Sequence, residues 1–409
     1  MKVGSRRVIL GVTCITAACL LIAGIASGQA VPAGQRGQAA PAAQRGAAPA
    51  APAAAGQASQ AVPMPKAGEL FKKVDLMKDT PVDEFMDTMG MFSAALTLNC
   101  IDCHVPESVG GWDRFADETP LKVTARKMMK MVDEINKTNF SGVRVVTCYT
   151  CHRGDLKPRI LPSLAAQYAN PVEDANDVVI ANIPGGPTVD QVFDKYFQAL
   201  GGVQRLAALT SYSAKGTYIG FETEQTVVPM DIYAKAPSQR AKIVHMAVGD
   251  NARVFNGTTA WIAGSDKPLP LYTPTGGNLE GAKLDGILMF PQNLKGAFAN
   301  WRVSATGIDD KLVRVLQGTN PRQPPVNFYF DGTSGLLVRV LRYVDTAVGR
   351  VPFQIDYSDY KEVAGVKIPH KWILTWTNGQ ATSELTQVTA NPAIDASRFA
   401  RPAPAPTPK

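Results

Sequence analysis

Two short stretches constrain this chain more than anything else in it. They are Cys100-Ile101-Asp102-Cys103-His104 and Cys148-Tyr149-Thr150-Cys151-His152, both of the form Cys-x-x-Cys-His. With six cysteines and four histidines in 409 residues, chance expects about 0.001 copies, and two are present. This is the pattern of covalent c-type haem attachment. Two thiols three positions apart on a tight turn can add to the two vinyl groups of one haem, and the histidine that follows is placed to ligate the iron. The expected cofactors are therefore two covalently bound haem c groups, held by Cys100 and Cys103 and by Cys148 and Cys151, with His104 and His152 as iron ligands. A zinc site built from paired Cys-x-x-Cys would want about 15 to 20 residues between the pairs, whereas here 44 intervene. Two local disulfides would leave the histidine after each pair without a reason.

The start of the chain fits that chemistry. Met-Lys-Val-Gly-Ser-Arg-Arg is followed by an apolar run from Val8 to Ala26 and the small-residue patch Ser27-Gly28-Gln29-Ala30. Residues 1–30 thus have the form of an export signal, and the apolar run is also nearly long enough to stay as an uncleaved membrane anchor. Cys14 and Cys19 lie inside the run, and Thr16-Ala17-Ala18 before Cys19 is a poor lipoprotein cleavage box. Covalent haem attachment is completed outside the cytoplasm, so motif and compartment agree on a periplasmic protein, free or held to the inner membrane. Residues 31–65 are almost entirely Ala, Pro, Gly, Gln and Ser, a composition that cannot offset its ordering entropy and reads as a disordered linker. Residues 401–409 form a similar tail.

A mean hydropathy of −0.05 and a single long apolar run exclude a multi-span membrane protein. The formal net charge of +7 is mild for this length, and the basic residues are scattered, which argues against a nucleic-acid partner.

A haem iron has a sixth position, and its occupant separates electron transfer from small-molecule chemistry. His245 and His370 are the remaining histidines, and both lie far downstream in strand-like sequence. Methionine is then the expected sixth ligand. Thr80-Pro81-Val82-Asp83 reads as a helix start with Thr80 as N-cap, and Val82, Phe85, Met86 and Met89 fall on one face. Thr119-Pro120 begins another helix, whose expected face holds Leu121, Thr124, Ala125, Met128, Val132 and Ile135. Periodicity alone is equally consistent with methionines that fill a core.

Three stretches carry a family resemblance: Met89 to Cys100, Thr124 to Asn136 (Thr-Ala-Arg-Lys-Met-Met-Lys-Met-Val-Asp-Glu-Ile-Asn) and Val146 to Gly154 (Val-Thr-Cys-Tyr-Thr-Cys-His-Arg-Gly). Over about 66–165 the chain resembles the cytochrome c subunit family of photosynthetic reaction centres, including its shorter relatives in non-phototrophic bacteria. The resemblance implies units of helix, turn and Cys-x-x-Cys-His, with a helix methionine as sixth ligand: Met89 for the first haem and Met128 for the second, with Met86 and Met131 as fallbacks. Full-length relatives bind four haems, and this chain has two attachment motifs and no histidine between Asn136 and Thr147 to serve a further haem. The resemblance thus implies half of a tetrahaem module. Trp112, Phe115 and Arg126 are candidates for packing against haem or binding its propionates, although Trp and Phe in such a place are more often simple core and an Arg more often a surface charge.

After Arg159 the composition changes. Pro158, Pro162, Pro171 and Pro184-Gly185-Gly186-Pro187 punctuate a connector, a helix follows over 189–200 and ends at Gly201-Gly202, and from 210 onward alternation predicts strands. These are 213–221, 226–234, 241–248, 254–262, 301–306, 311–316, 326–330, 336–343, 354–360 and 372–376, with a turn at Asp331-Gly332-Thr333-Ser334-Gly335 and a helical insert near 276–290. One helix followed by a long antiparallel sheet suggests a curved sheet or open barrel. Phe330 to Arg339, Val363-Ala-Gly-Val-Lys-Ile-Pro and Asn391-Pro392 resemble bacterial outer-membrane lipoprotein-carrier-like half barrels over roughly 188–400.

The expected architecture is multidomain. A mainly α dihaem cytochrome c domain with its connector (66–180) precedes an α+β half-barrel domain (181–400), with the signal (1–30), linker (31–65) and tail (401–409) outside them. In the half-barrel region no Ser/His/Asp order, Gly-rich phosphate loop or carboxylate cluster stands out, which favours a binding or docking module over an enzyme there, and the chain as a whole reads more as an electron-transfer protein than as an enzyme. It would pass single electrons between membrane-associated or periplasmic partners, and its half barrel would dock a partner or hold an apolar ligand. The alternatives are a haem peroxidase or reductase with one open iron site, and a lipid or lipoprotein carrier with an accessory redox module.

Overall fold

The computed structural model describes residues 60–167, 174–178, 180 and 184–406. The expected signal or anchor and most of the expected linker lie outside the described residues, as do the last three residues of the tail.

The N-terminal region is helical. It contains α1 (Ala67–Leu70), α2 (Val82–Leu96), α3 (Cys100–Cys103), α4 (Pro120–Asn139), α5 (Cys148–His152) and α6 (Leu164–Gln167). α4 starts as the sequence predicts, with the Thr119 hydroxyl accepting from the Lys122 N–H at 3.3 Å and Pro120 in the first turn. α2 starts one residue later than expected. Pro81 is its N-cap, and Thr80 is drawn away because its carbonyl accepts the Ala67 N–H at 2.8 Å.

The C-terminal region begins with α7 (Val189–Ala199) and α8 (Val203–Ala208). The Thr188 hydroxyl caps α7 by accepting from Gln191 N–H at 3.2 Å. Between the two helices Gly201 has φ +123°, and a Cβ there would sit 2.2 Å from the Gly365 carbonyl oxygen. Only glycine allows that approach.

Thirteen strands then form one antiparallel sheet: β1 (Ser211–Gly220), β2 (Val228–Lys235), β3 (Gln239–Met246), β4 (Gly249–Phe255), β5 (Ala260–Ala263), β6 (Leu271–Tyr272), β7 (Asn300–Ile308), β8 (Lys311–Thr319), β9 (Val326–Asp331), β10 (Leu337–Thr346), β11 (Gly349–Val363), β12 (Val366–Trp376) and β13 (Gly379–Ala390). Their order is β6-β5-β4-β3-β2-β1-β13-β12-β11-β10-β9-β8-β7, so the first and last strands meet in the middle. α9 (Gly276–Ile287) is inserted between β6 and β7. The fold class is the expected one, helices followed by a large antiparallel sheet.

Period-two burial, as in β2 with Met230, Ile232 and Ala234 inward, gives the sheet an apolar face. That face packs on α7, α8 and α9 through Phe193, Tyr196, Leu206, Leu284, Phe328 and Phe330. Burying one such ring is worth about 3–5 kcal/mol against alanine. On the opposite side, Val313, Val315, Tyr329 and Leu341 are covered by Val178 and Ile180 of the connector.

Four local expectations need correction. The strand expected over 254–262 is two strands, β4 and β5, because Asn256-Gly257 makes a hairpin turn in which the Asn256 side chain accepts from Thr258 and Thr259 N–H groups. β6 and β13 are unforeseen; β13 turns only Ala381, Ser383 and Leu385 inward, so its alternation is weak. Residues 60–65, expected to be loose, are fastened to the sheet: the Trp261 indole N–H donates to the Gln60 carbonyl at 3.1 Å, and Val62 N–H to the Thr273 hydroxyl at 2.8 Å. The start of the tail is likewise held, with Ala405 buried and its N–H donating to the Pro270 carbonyl at 2.9 Å.

Candidate haem sites

The first attachment motif lines a cavity of about 470 Å³. α3 is stabilised by a reciprocal cap: Asn99 Oδ1 accepts from Ile101 and Asp102 N–H groups at 3.0 and 3.2 Å, and the Asp102 carboxylate accepts the Asn99 N–H at 2.8 Å. This turn sets Cys100, Cys103 and His104 into the cavity wall, and α2 supplies Phe85, Met86, Met89, Phe92 and Leu96 to the same space. Trp112, Phe115 and Arg126 line it too. Trp112 stacks on Phe115 with centroids 5.3 Å apart, and Phe115 meets the His104 ring edge-on at 4.9 Å.

His104 Nδ1 lies 3.1 Å from the Phe115 carbonyl oxygen. A carbonyl only accepts, so Nδ1 carries the proton and Nε2 keeps its lone pair. Burial, reinforced by the Lys122 ammonium, lowers the His104 pKa and keeps the ring neutral. Lys122 is itself held by the Phe115 and Asp117 carbonyls at 2.8 and 2.6 Å, and Thr119 donates to the Cys103 carbonyl at 2.6 Å. The motif, its loop and the start of α4 are thus one hydrogen-bonded unit.

The second motif repeats this arrangement on α5. Thr147 N–H donates to Thr150 Oγ1 at 3.0 Å, and His152 Nδ1 lies 3.0 Å from the Asp155 carbonyl oxygen, which again leaves Nε2 as the free lone pair. Burial pushes the thiols of Cys103 and Cys148 up, so both stay protonated. Cys148 packs against Met91, Val348 and Val351, which places α5 beside the β10–β11 hairpin.

The methionines divide. Met86 and Met89 share the first cavity with Cys100, Cys103 and His104. Met128 and Met131 are exposed on α4, and Thr124 is exposed with them. Met129, not nominated from the sequence, lines the first cavity instead. The inward face of α4 is therefore Leu121, Ala125, Met129, Val132 and Asn136, rotated from the expected one because the helix packs against α2 and the cavity. Met128, Met131, Val143, Val145, Tyr149 and Leu156 are all exposed.

Two features escaped the sequence reading. Phe71, Val74 and Met77 roof the first cavity, and their three-residue spacing was the available signal. Asn136 is buried and fully engaged: Oδ1 accepts from Val145 and Val146 N–H groups at 3.0 and 2.9 Å, and Nδ2 donates to the Val132 and Val146 carbonyls at 3.0 and 2.7 Å. It fixes the loop that leads into the second motif. The downstream histidines are elsewhere: His245 sits between Asp250 and Asp231 on the sheet surface, and buried His370 donates from Nδ1 to the Ile368 carbonyl at 2.9 Å.

The helical region resembles the cytochrome c subunits of photosynthetic reaction centres in sequence. Residues 28–178 match the model of the photosynthetic reaction centre cytochrome C subunit family. The photosynthetic reaction center cytochrome c subunit of Thermochromatium tepidum is 37% identical over 99 residues, 23% of each chain. That of Rubrivivax gelatinosus is 32% identical over 100 residues, 23% of this chain and 25% of the relative. The chain thus spans about a quarter of the length of the curated relatives it matches. Residues 280–386 match a family of unknown function (DUF6544). Among solved structures, the chain is similar to a LolA superfamily protein from Nitrosomonas europaea, with 11% identity, TM-score 0.36 and coverage of 52% of this chain and 98% of that one. It is also similar to a DUF1329 family protein from Desulfovibrio piger, with 10% identity, TM-score 0.37 and coverage of 52% and 96%. No helix among the described residues is long and apolar enough to cross a membrane.

Proposed function

We propose that the protein is an exported dihaem c-type cytochrome that passes single electrons between membrane-associated or periplasmic partners. One observation carries the reading: Cys100, Cys103, His104, Met86 and Met89 line a single cavity of about 470 Å³, within the range of about 300–1,000 Å³ of sites that enclose a cofactor. The donor set fits a haem, with two thiols for its vinyl groups, a neutral imidazole and a thioether across an apolar space. Bound there, haem iron supplies a one-electron couple that thioether ligation raises.

The chain's own residues do the rest. The Phe115 and Asp155 carbonyls fix the orientation and tautomer of His104 and His152. Phe71, Trp112 and Phe115 exclude water from the first site, and Arg126 and Lys122 at its wall offer positive charge to propionates. Met89 is assigned to the first iron and Met128 to the second.

The test is a haem count on the purified protein, with absorption and magnetic circular dichroism spectra of Met89→Ala and Met128→Ala. Two haems per chain are expected, each variant keeping both while losing thioether ligation at one; any other count overturns the reading. The exposure of Met128 favours one second reading, a haem enzyme whose second iron is open. Rapid carbon monoxide binding by one haem of the reduced protein would select that reading.

A further inference from the structure

The face of the sheet covered by α7, α8 and α9 encloses another cavity, of about 120 Å³, far from both attachment motifs in the chain. Its apolar walls include Leu200, Leu206, Leu288 and Leu337. Its floor is cationic. Arg240 and Lys242 are two positions apart on β3 and share its inward face, and Arg253 of β4 stands directly opposite Lys242 in the register. Like charges so placed repel.

The neighbouring carboxylates are taken by other cations. Glu222 pairs with Arg253 at 3.2 Å and with Lys267 at 3.0 Å, Asp266 pairs with Lys267 at 2.7 Å, and Asp285 lies 3.5 Å from Arg240. Lys242 makes no ion pair among the described residues. It is 9% exposed, its ammonium donates to Ser383 Oγ at 3.0 Å, and it lies 4.4 Å from the centre of the Tyr218 ring. Arg240, 8% exposed, keeps its Nε–H buried with no partner. Tyr357 is on the same wall. Burial and the Arg240 guanidinium pull the Lys242 pKa down to about 7, the mark of an ammonium short of a counter-charge. A buried cation and a buried N–H donor, both on the lining of an apolar cavity, are what an anionic head would satisfy.

We propose that this cavity binds a small apolar molecule bearing one carboxylate, which takes the Lys242 ammonium and the Arg240 Nε–H while its apolar part lies against the leucine wall. The volume sets the size: about 120 Å³ is less than the roughly 150 Å³ that accepts benzene, so the occupant is a short alkanoate. The inference rests on the reading of the half barrel as a ligand-holding domain and is independent of the haem assignment.

The test is isothermal titration of the full-length, haem-loaded protein with butanoate, with propanoate, and with butanamide as the uncharged isostere of butanoate. One site per chain is expected, taking butanoate or propanoate at least about tenfold more tightly than butanamide, the worth of one charge-assisted hydrogen bond. Lys242→Met should level acid and amide, and Lys242→Arg should keep the preference. Equal binding of butanoate and butanamide by the wild type, no saturable binding of either acid, or an unchanged preference in Lys242→Met would each overturn the proposal. A failure here with two haems still counted leaves the electron-transfer reading standing, and a different haem count leaves this titration unaffected.

Discussion

Asp83, in the first turn of α2, accepts the backbone N–H of Thr275 at 2.6 Å and its hydroxyl at 2.8 Å. Thr275 is the N-cap residue of α9, so the helix that carries Met86 and Met89 is fastened to the insert that covers the sheet. Asp83 is 8% exposed, which leaves little room for water to replace it. Asp83→Ala should therefore lower the unfolding free energy by about 1–3 kcal/mol, the cost of stranding buried donors, as measured by chemical denaturation. An unchanged midpoint would show that the contact holds nothing.

Asn136 makes a parallel demand on the second motif. Asn136→Ala strands the Val145 and Val146 N–H groups and frees the loop that leads to Cys148. The expected outcome is faster proteolytic cleavage within 140–147 and a haem content that falls toward one per chain, with the first site spectrally intact. Wild-type protease resistance in the variant would refute this.

His245 supplies a pH signature on the sheet surface. Partial burial works against its charge, but hydrogen bonds to Asp250 and Asp231 outweigh it and raise its pKa. A histidine raised on folding stabilises most below its unfolded value of about 6.5, and that contribution fades as pH climbs through the folded value. NMR titration should place the His245 midpoint above 6.5 in the native protein, and Asp250→Asn should bring it down.

Lys242 works in the opposite direction. Its pKa of about 7 in the fold lies below the unfolded value of about 10.4, so its burial cost is complete below pH 7 and disappears as pH approaches 10.4. Lys242→Met should thus stabilise the protein by about 1–4 kcal/mol at neutral pH, with a gain that shrinks in alkali. Urea melts at pH 7 and pH 10 read both numbers, and a gain that grows with pH would reverse the assignment.

Much of this architecture was legible in the residues. Two Cys-x-x-Cys-His sequences announce themselves because cysteine and histidine are so scarce here, and strands such as β2 show in their alternation. The choice among Met128, Met129 and Met131 was not legible, since adjacent positions on a helix differ by about a hundred degrees and only packing against α2 decides which turns inward. Asn136 looked like an ordinary polar residue near a helix end; its four bonds depend on a loop that periodicity does not describe. Lys242 was invisible for a related reason: a lysine in an alternating strand reads as surface until helices cover that face.

The meeting of the first strand with the last gives the chain a timetable. Every other ladder joins strands that are neighbours in sequence and can form as local hairpins, whereas Tyr212 must find Ala390 across the whole sheet. That search is the slow event. Thr275 and Thr346, which hold the helical region through Asp83 and Arg144, belong to the stretch awaiting this closure. The four cysteines are therefore in the chain before the contact that presses α5 against the β10–β11 hairpin can form, because that hairpin comes later in the sequence. The interval between the two is the window in which the thiols stand open to modification.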